Sequence, residues 1–404
     1  MYILLSSLIV LLGTIVNGQT SEQPLELQPL VKSSNDLAIN LLEHINLSPP
    51  DDANDVVKAL FDEPKNVLLS PFGLMSSMVM LYQGANGKTS DEFAHILKLE
   101  TLDKESLPKL LQEQYEQLRS TQGVKYRMAN ALVGKHEFTD AYKKLLEDYF
   151  QAKSYELSSL DMNDLNKMFA DKTDNMIPQM LLQKPGDDTG LLLADGTSFD
   201  GNWKFPFYQE DSHVDVFFSN DDKQFNNVTF MRRFGRFGFT YSEDLEADLI
   251  EVPFENDLVA FYALLPRDPN DDLSDIRKNL NATYLEQLIA RLSYRLDSTI
   301  ELPLINMDYE ETQLIKVLKN FGLNDALDEQ TAQFGSMTDK SLKLTGLLYR
   351  SKLLLNENEQ KRPENDENLS AAAPLFYNLN HPFYYFIRHK QTGQLLMLGE
   401  LHSF

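Results

Sequence analysis

The 404-residue chain contains no cysteine, which excludes disulfides, thiolate metal ligands and a cysteine nucleophile together. Positive charge is scarce too. Lys and Arg number 37 against 61 Asp and Glu, and the net charge of −24 repels nucleic acid and anionic lipid in any non-specific encounter. Neither nucleic acid nor a membrane is expected as a partner. The seven histidines lie at no metal-ligand spacing such as HxxxH, so no metal and no cofactor are expected. GxSxG, GxGxxG and GxxxxGK[ST] are all missing, which removes the common nucleophile elbow, dinucleotide loop and phosphate loop and points away from an enzyme. The carboxylate pairs Asp221–Asp222 and Asp271–Asp272 sit in polar turns, where solvated loops are expected rather than acid/base chemistry. The basic group Arg232, Arg233 and Arg236, interleaved with Phe234 and Phe237, is expected at a strand edge.

What the chain does have is apolar content, 42% hydrophobic against 24% charged, enough to bury a large core. Tyr2 to Val16 is almost wholly apolar, and Val16 and Gly18 place small residues at −3 and −1 of a cut before Gln19. Residues 1–18 are therefore expected to be a signal peptide and the protein to be secreted. The stretch falls short of the roughly 20 residues that a membrane span needs. Sequons at Asn46, Asn227, Asn281 and Asn368 would accept N-glycans in a secreted chain. Residues 19–33 are polar and read as an N-terminal arm, and residues 34–404 read as one domain, expected to be monomeric.

Helical spacing predicts helices over Leu37–Ile45, Ser70–Met80, Thr89–Leu97, Lys104–Leu118, Ala141–Phe150 and Glu311–Phe321. Ser70 is the expected N-cap of the second, Pro71 its first turn, and Gly322 the stop of the last. Leu74, Met75, Met78 and Val79 make the second helix apolar nearly all round, so it belongs inside a core. Strand-like runs are Tyr126–Val133, Gly190–Phe199, Phe237–Tyr241, Leu249–Phe254 and Leu258–Leu265, with a closing hairpin of Phe383–Arg388 and Leu395–Leu401. Helices come mostly first and strands mostly later, an α+β pattern.

Four collinear motifs carry a family resemblance. Asn66-Val-Leu-Leu-Ser-Pro with Met80-Leu-Tyr-Gln-Gly-Ala-Asn-Gly-Lys-Thr resembles the entry to serpin helix B and the turn after it. Phe199-Asp-Gly-Asn-Trp-Lys-Phe-Pro-Phe is similar to the serpin strand ending in Gly-x-Trp-x-x-Pro-Phe, with Trp203 the single tryptophan. Leu249 to Pro266 resembles the paired strands that end Leu-Leu-Pro, and Tyr377-Asn-Leu-Asn-His-Pro-Phe fits the C-terminal signature. The resemblance implies one α+β domain of three sheets and eight or nine helices, with an exposed reactive loop over about 357–377. In inhibitory relatives a protease cuts that loop and stays acylated while the loop inserts as a central strand of the largest sheet.

A central strand gives alternate side chains to the core and its N–H groups to neighbours. Inhibitory serpins resemble one another in a small, uncharged hinge just after the Glu that aligns with Glu357. Here that hinge reads Glu359, Gln360, Lys361, Arg362, Pro363, Glu364, Asn365, Asp366 and Glu367. One register would bury Gln360, Arg362, Glu364 and Asp366, the other Glu359, Lys361, Pro363, Asn365 and Glu367, and neither is apolar. Pro363 also lacks the N–H. Three further positions depart where the sheet must open: near Ser70 and Trp203 the chain has Gly73 for the family's usual Ser, Asp195 for Asn and Tyr349 for His. The expectation is a non-inhibitory extracellular serpin whose partner is another extracellular protein or a small apolar ligand, as carrier, ligand or protease decoy. The alternative is a suicide-substrate inhibitor of a serine protease with its scissile bond near Ala373–Pro374.

Overall fold

The computed structural model describes residues 27–45, 65–219, 223–294, 297–357, 362–363 and 375–404. Among these are nine α-helices and three sheets. The helices are α1 (Leu27–Ile45), α2 (Pro71–Gly84), α3 (Gly87–Ile96), α4 (Leu107–Arg119), α5 (Asp140–Leu145), α6 (Met162–Lys172), α7 (Ser274–Asn279), α8 (Ala282–Ile289) and α9 (Leu314–Asn320). The strands begin with β1 (Val67–Leu69), β2 (Val124–Gly134), β3 (Lys153–Glu156), β4 (Leu191–Gly201) and β5 (His213–Phe218). The next five are β6 (Gln224–Gly235), β7 (Gly238–Ser242), β8 (Ala247–Pro253), β9 (Val259–Pro266) and β10 (Ser298–Pro303). The last are β11 (Ile305–Glu311), β12 (Leu344–Leu355), β13 (Leu375–Asn378), β14 (Phe383–His389) and β15 (Leu395–Leu401).

The five-stranded central sheet runs β11-β12-β4-β2-β3. Its middle seam is a parallel pair, β12 on β4, in register from Leu344 against Leu191 to Leu354 against Asp200, with one irregularity between Leu344 and Gly346. No strand lies between them. A six-stranded sheet, β1-β15-β14-β9-β8-β7, and a four-stranded sheet, β13-β10-β6-β5, complete the α+β fold. Both faces of the central sheet are covered. Helix α2, apolar all round as its sequence demands, sits against β4 and β15 in the main core. On the opposite face Leu165, Met168 and Phe169 of α6 pack on Ala129, Ala131 and Val133 of β2 and on Leu192 and Ala194 of β4. Phe169 approaches so closely that a Cβ at Gly196 would lie 2.8 Å from its ring.

Several boundaries differ from the sequence-based expectation for physical reasons. The arm expected over residues 19–33 is helical from Leu27, because Leu27, Leu30 and Val31 are buried and the polar residues beside them have distant partners. Asn35 Nδ2 donates to the Gly393 carbonyl at 2.9 Å, and Gln394 Nε2 donates to Ser34 Oγ at 3.0 Å. Glu311 ends β11 rather than opening a helix, since its carboxylate accepts the Gln313 N–H at 2.6 Å and turns the chain into α9. Gly322 then adopts φ +110°, as a helix stop requires. Helix α4 starts at Leu107, not Lys104, whose ammonium donates instead to the Ala85 carbonyl (2.7 Å) and Ser90 Oγ (2.9 Å). The helix expected over Ala141–Phe150 keeps its α form only to Leu145 and widens into a π turn over Leu146–Phe150.

Candidate functional site: the central seam and the start of the loop

Ser70 is where the site begins. As N-cap of α2 it accepts the Gly73 N–H at 3.2 Å, and the same Oγ bonds the Tyr126 hydroxyl at 2.8 Å and donates to the Leu396 carbonyl at 2.8 Å. The Ser70 N–H donates to Tyr349 Oη at 2.5 Å, so a phenol on β12 ties the central seam to the helix beneath it. All four side chains are buried, and burial raises the Tyr126 and Tyr349 phenols well above their ordinary range.

The strand register places Asp195 directly between Tyr349 on β12 and Asn130 on β2. It is fully buried. Thr197 Oγ1 reaches its Oδ1 at a long 3.5 Å, while Oδ2 and the neighbouring Asn130 Oδ1 have no hydrogen-bond partner among the described residues. Desolvation pushes the carboxyl up to about 7, against the opposing hydroxyls of Ser77 and Thr197. Thr197 also accounts for Gly73. A Cβ at Gly73 would lie 2.5 Å from Thr197 Oγ1 and 3.1 Å from Ser70 Oγ, so any side chain there, serine included, would require Thr197 to shift. Gly73 and Asp195 thus meet at one side chain, Thr197, and are connected through it.

At the loop end of the seam, Trp203 is buried, stacks on Phe254 at 4.6 Å and donates its Nε1–H to the Asn356 carbonyl at 2.9 Å. That fixes the last residue before the loop. The Glu357 carboxylate then accepts from Ser212 Oγ at 2.8 Å. Arg362 is ion-paired with Glu210 (3.3 Å) and with Asp211, its guanidinium 5.5 Å from the Tyr208 ring centre, and only 13% of its side chain is exposed. Pro363 beside it is exposed. The hinge start is therefore strapped to the segment 208–212, outside the central sheet.

The other predicted loop positions, Glu359, Gln360, Lys361, Glu364, Asn365, Asp366, Glu367, Ala373 and Pro374, lie outside the described residues, as do Asn46, Asn368 and the signal peptide. Of the remaining sequons, Asn281 is exposed and caps α8 by accepting the Tyr284 N–H at 2.9 Å, and Asn227 is exposed on β6 with φ +66°. The basic group is dispersed: Arg232 pairs with Glu301, Arg236 with Asp297, and Arg233 stands 5.2 Å from the Tyr208 ring centre. Missed from the sequence were Thr197, Asn130 and Tyr126, and the strap residues Tyr208, Glu210, Asp211 and Ser212. The acidic pair Glu210–Asp211 resembles any solvated turn until topology brings Arg362 to it.

Five strands with a parallel middle seam, a buried helix capped by Ser70 beneath it, and a loop leaving at a tryptophan-fixed strand end are matched by sequence. The profile of the family described as Serpin (serine protease inhibitor) covers residues 50–403. This chain is a serpin. Among the relatives this serpin matches, intracellular coagulation inhibitor 2 of Tachypleus tridentatus is 25% identical over 362 residues, covering 86% of this chain and 88% of the relative. Serpin B8 of Homo sapiens is 27% identical over 360 residues, with 85% and 94% covered. The crystal structures of the mouse protein-Z dependent protease inhibitor and of native protease nexin-1 with heparin each superpose with a TM-score of 0.79 at 20% and 22% identity. They cover 94% and 93% of this serpin and 98% and 100% of their own chains, and at that identity they speak to the serpin fold.

Proposed function

We propose that this serpin is secreted and acts by binding, not by trapping a protease. The observation that supports this most directly is Arg362. Insertion would take its guanidinium from two carboxylates and place it in a seam covered by apolar side chains on both faces. In the family's register Glu364 and Asp366 would follow it. Three unpaired charges on one buried face cost on the order of 10 kcal/mol, whereas each new backbone hydrogen bond returns roughly 1 kcal/mol. Shifting by one residue exchanges these charges for Glu359, Lys361 and Glu367 and adds Pro363, so the balance does not improve.

The test is incubation with a panel of serine and cysteine proteases. Cleavage without any SDS-stable complex is expected, and a stable covalent complex would overturn the proposal. The names of relatives favour the second reading, inhibition, since those of the Tachypleus protein and the mouse protein both describe inhibitors. The same panel decides it, with the cut mapped to Ala373–Pro374 if inhibition holds. Secretion rests on the apolar stretch Tyr2–Val16 followed by Gly18, while the word intracellular in the Tachypleus relative's name points the other way. Expression in secretory cells should give medium protein starting at Gln19, with gel mobility increased by glycan removal. Retention in the cell with Met1 or the leader intact would reject it.

A further inference from the structure

A cavity of about 810 Å³ opens at the far end of the central seam from the loop, where β4 and β12 begin. Strand length puts it about 30 Å from the Trp203 end. Its walls come from the segment 180–189, the two strands and α9. The apolar part is made by Leu192, Leu344, Leu348, Ile315 and Leu327, the last three only partly buried. Leu182, at the rim, is 67% exposed, an aliphatic side chain left uncovered at the mouth of the cavity.

Three lysines share this cavity: Lys184 on the 180–189 segment, Lys319 on α9 and Lys343 just before β12. In a chain of net charge −24 almost every other described lysine has a carboxylate, a carbonyl or another partner. Among the described residues, the lysines with no ion pair or side-chain hydrogen bond are Lys135, Lys184, Lys278, Lys319 and Lys343, and three of those five line this one cavity. The cavity's own carboxylates do not neutralise them: Glu310 is engaged by Arg350 at 2.6 Å, and Asp188 makes no ion pair with any of the three. Arg350 also donates from Nη1 to the Gln179 carbonyl at 2.7 Å. Lys184 and Lys319 are exposed and Lys343 is half-buried, so water solvates them now, and an anionic ligand with a hydrocarbon body would give all three a counter-ion beside the apolar wall.

We propose that this cavity binds a long-chain carboxylate, with the alkyl chain along Leu192, Leu348, Ile315 and Leu327 and the carboxylate among Lys184, Lys319 and Lys343. An inorganic anion would leave the aliphatic wall wet, and a neutral lipid would leave the lysines uncompensated. The inference supplies a ligand class for the binding role proposed above and rests on that reading for its purpose. The cavity's chemistry does not involve the loop, so the two can fail separately.

The experiment is displacement of fluorescent parinaric acid from the full chain by palmitate, 1-hexadecanol, inorganic phosphate or an acidic peptide. Palmitate should displace the probe with one site per chain and at least about tenfold better than the alcohol. Lys319→Glu with Lys343→Glu should weaken palmitate by about tenfold or more while the melting temperature is held, and Lys135→Glu, at an equally unpaired lysine outside the cavity, should change nothing. A milder pair, Lys319→Gln with Lys343→Gln, keeps the test valid if charge reversal impairs folding. The proposal is overturned if parinaric acid does not bind, if alcohol and palmitate compete equally, if phosphate or the peptide displaces as well as palmitate, or if Lys135→Glu weakens binding as much. An SDS-stable protease complex alongside intact palmitate binding would sink the binding-only reading and leave this site standing.

Discussion

Asp195 places a carboxyl, its pKa raised by burial, between the strands of the seam. Its folded value of about 7 lies above the roughly 4 of an unfolded aspartate. Between those values the unfolded chain gives up this proton while the folded chain holds it, so stability falls as pH rises from about 4 to about 7 and levels off above. The contribution is present in full only below the unfolded value. Asp195→Asn should therefore match the parent near pH 4 and exceed it by up to a few kcal/mol above pH 7, where its amide also offers a donor to the unpartnered Asn130 Oδ1. Urea midpoints measured from pH 4 to pH 8 check this. A stability difference that is the same at every pH would show that Asp195 does not titrate in the folded chain.

The strap at the hinge joins two elements, the end of β12 and the turn at 208–212, and it acts on the loop before any question of insertion arises. Arg362→Ala removes the guanidinium from Glu210 and Asp211 and from beside the Tyr208 ring. Cutting within residues 359–374 by thermolysin, which does not need the lost arginine, should accelerate about three- to tenfold, with little change in melting temperature. Glu210→Gln with Asp211→Asn should have the same effect from the other side. Unchanged cutting rates in both would mean that the strap does not restrain the loop. None of this was visible in the sequence, because Arg362 lies 151 and 152 residues from Asp211 and Glu210 and each looks like ordinary surface charge. Elements with one uniform period were legible. Helix α2, with its Ser70 cap, and the hairpin β14–β15 appear nearly where their patterns place them. Boundaries failed where a polar side chain has a distant partner, as with Ser34 and Asn35 in α1, or where a carboxylate turns the chain, as at Glu311. The crowding at Gly73 comes from Thr197, 124 positions on, which no local pattern signals.

For the whole molecule the decisive quantity is what a cut does to stability. A loop that inserts adds a strand and makes the cut form much harder to melt. Here the seam is closed by β12 on β4, and the candidate strand brings charge and a proline, so cleavage between Glu359 and Phe376 should leave the melting temperature nearly unchanged. Calorimetry of intact and nicked protein measures this, and a rise of tens of degrees would show that the charged loop does insert. The bond from Ser70 Oγ to the Leu396 carbonyl has a different consequence, set by the direction of synthesis. Ser70 waits for a partner made 326 residues later, and β1 just before it pairs, among the described strands, with β15 alone. At ordinary elongation rates that delay is on the order of tens of seconds. The tie from the α2 cap to β15 therefore forms only long after α2 itself has been made. Until then Ser70 Oγ lacks its Leu396 acceptor and β1 lacks its partner strand, so the first-made edge of that sheet waits unpaired through most of synthesis.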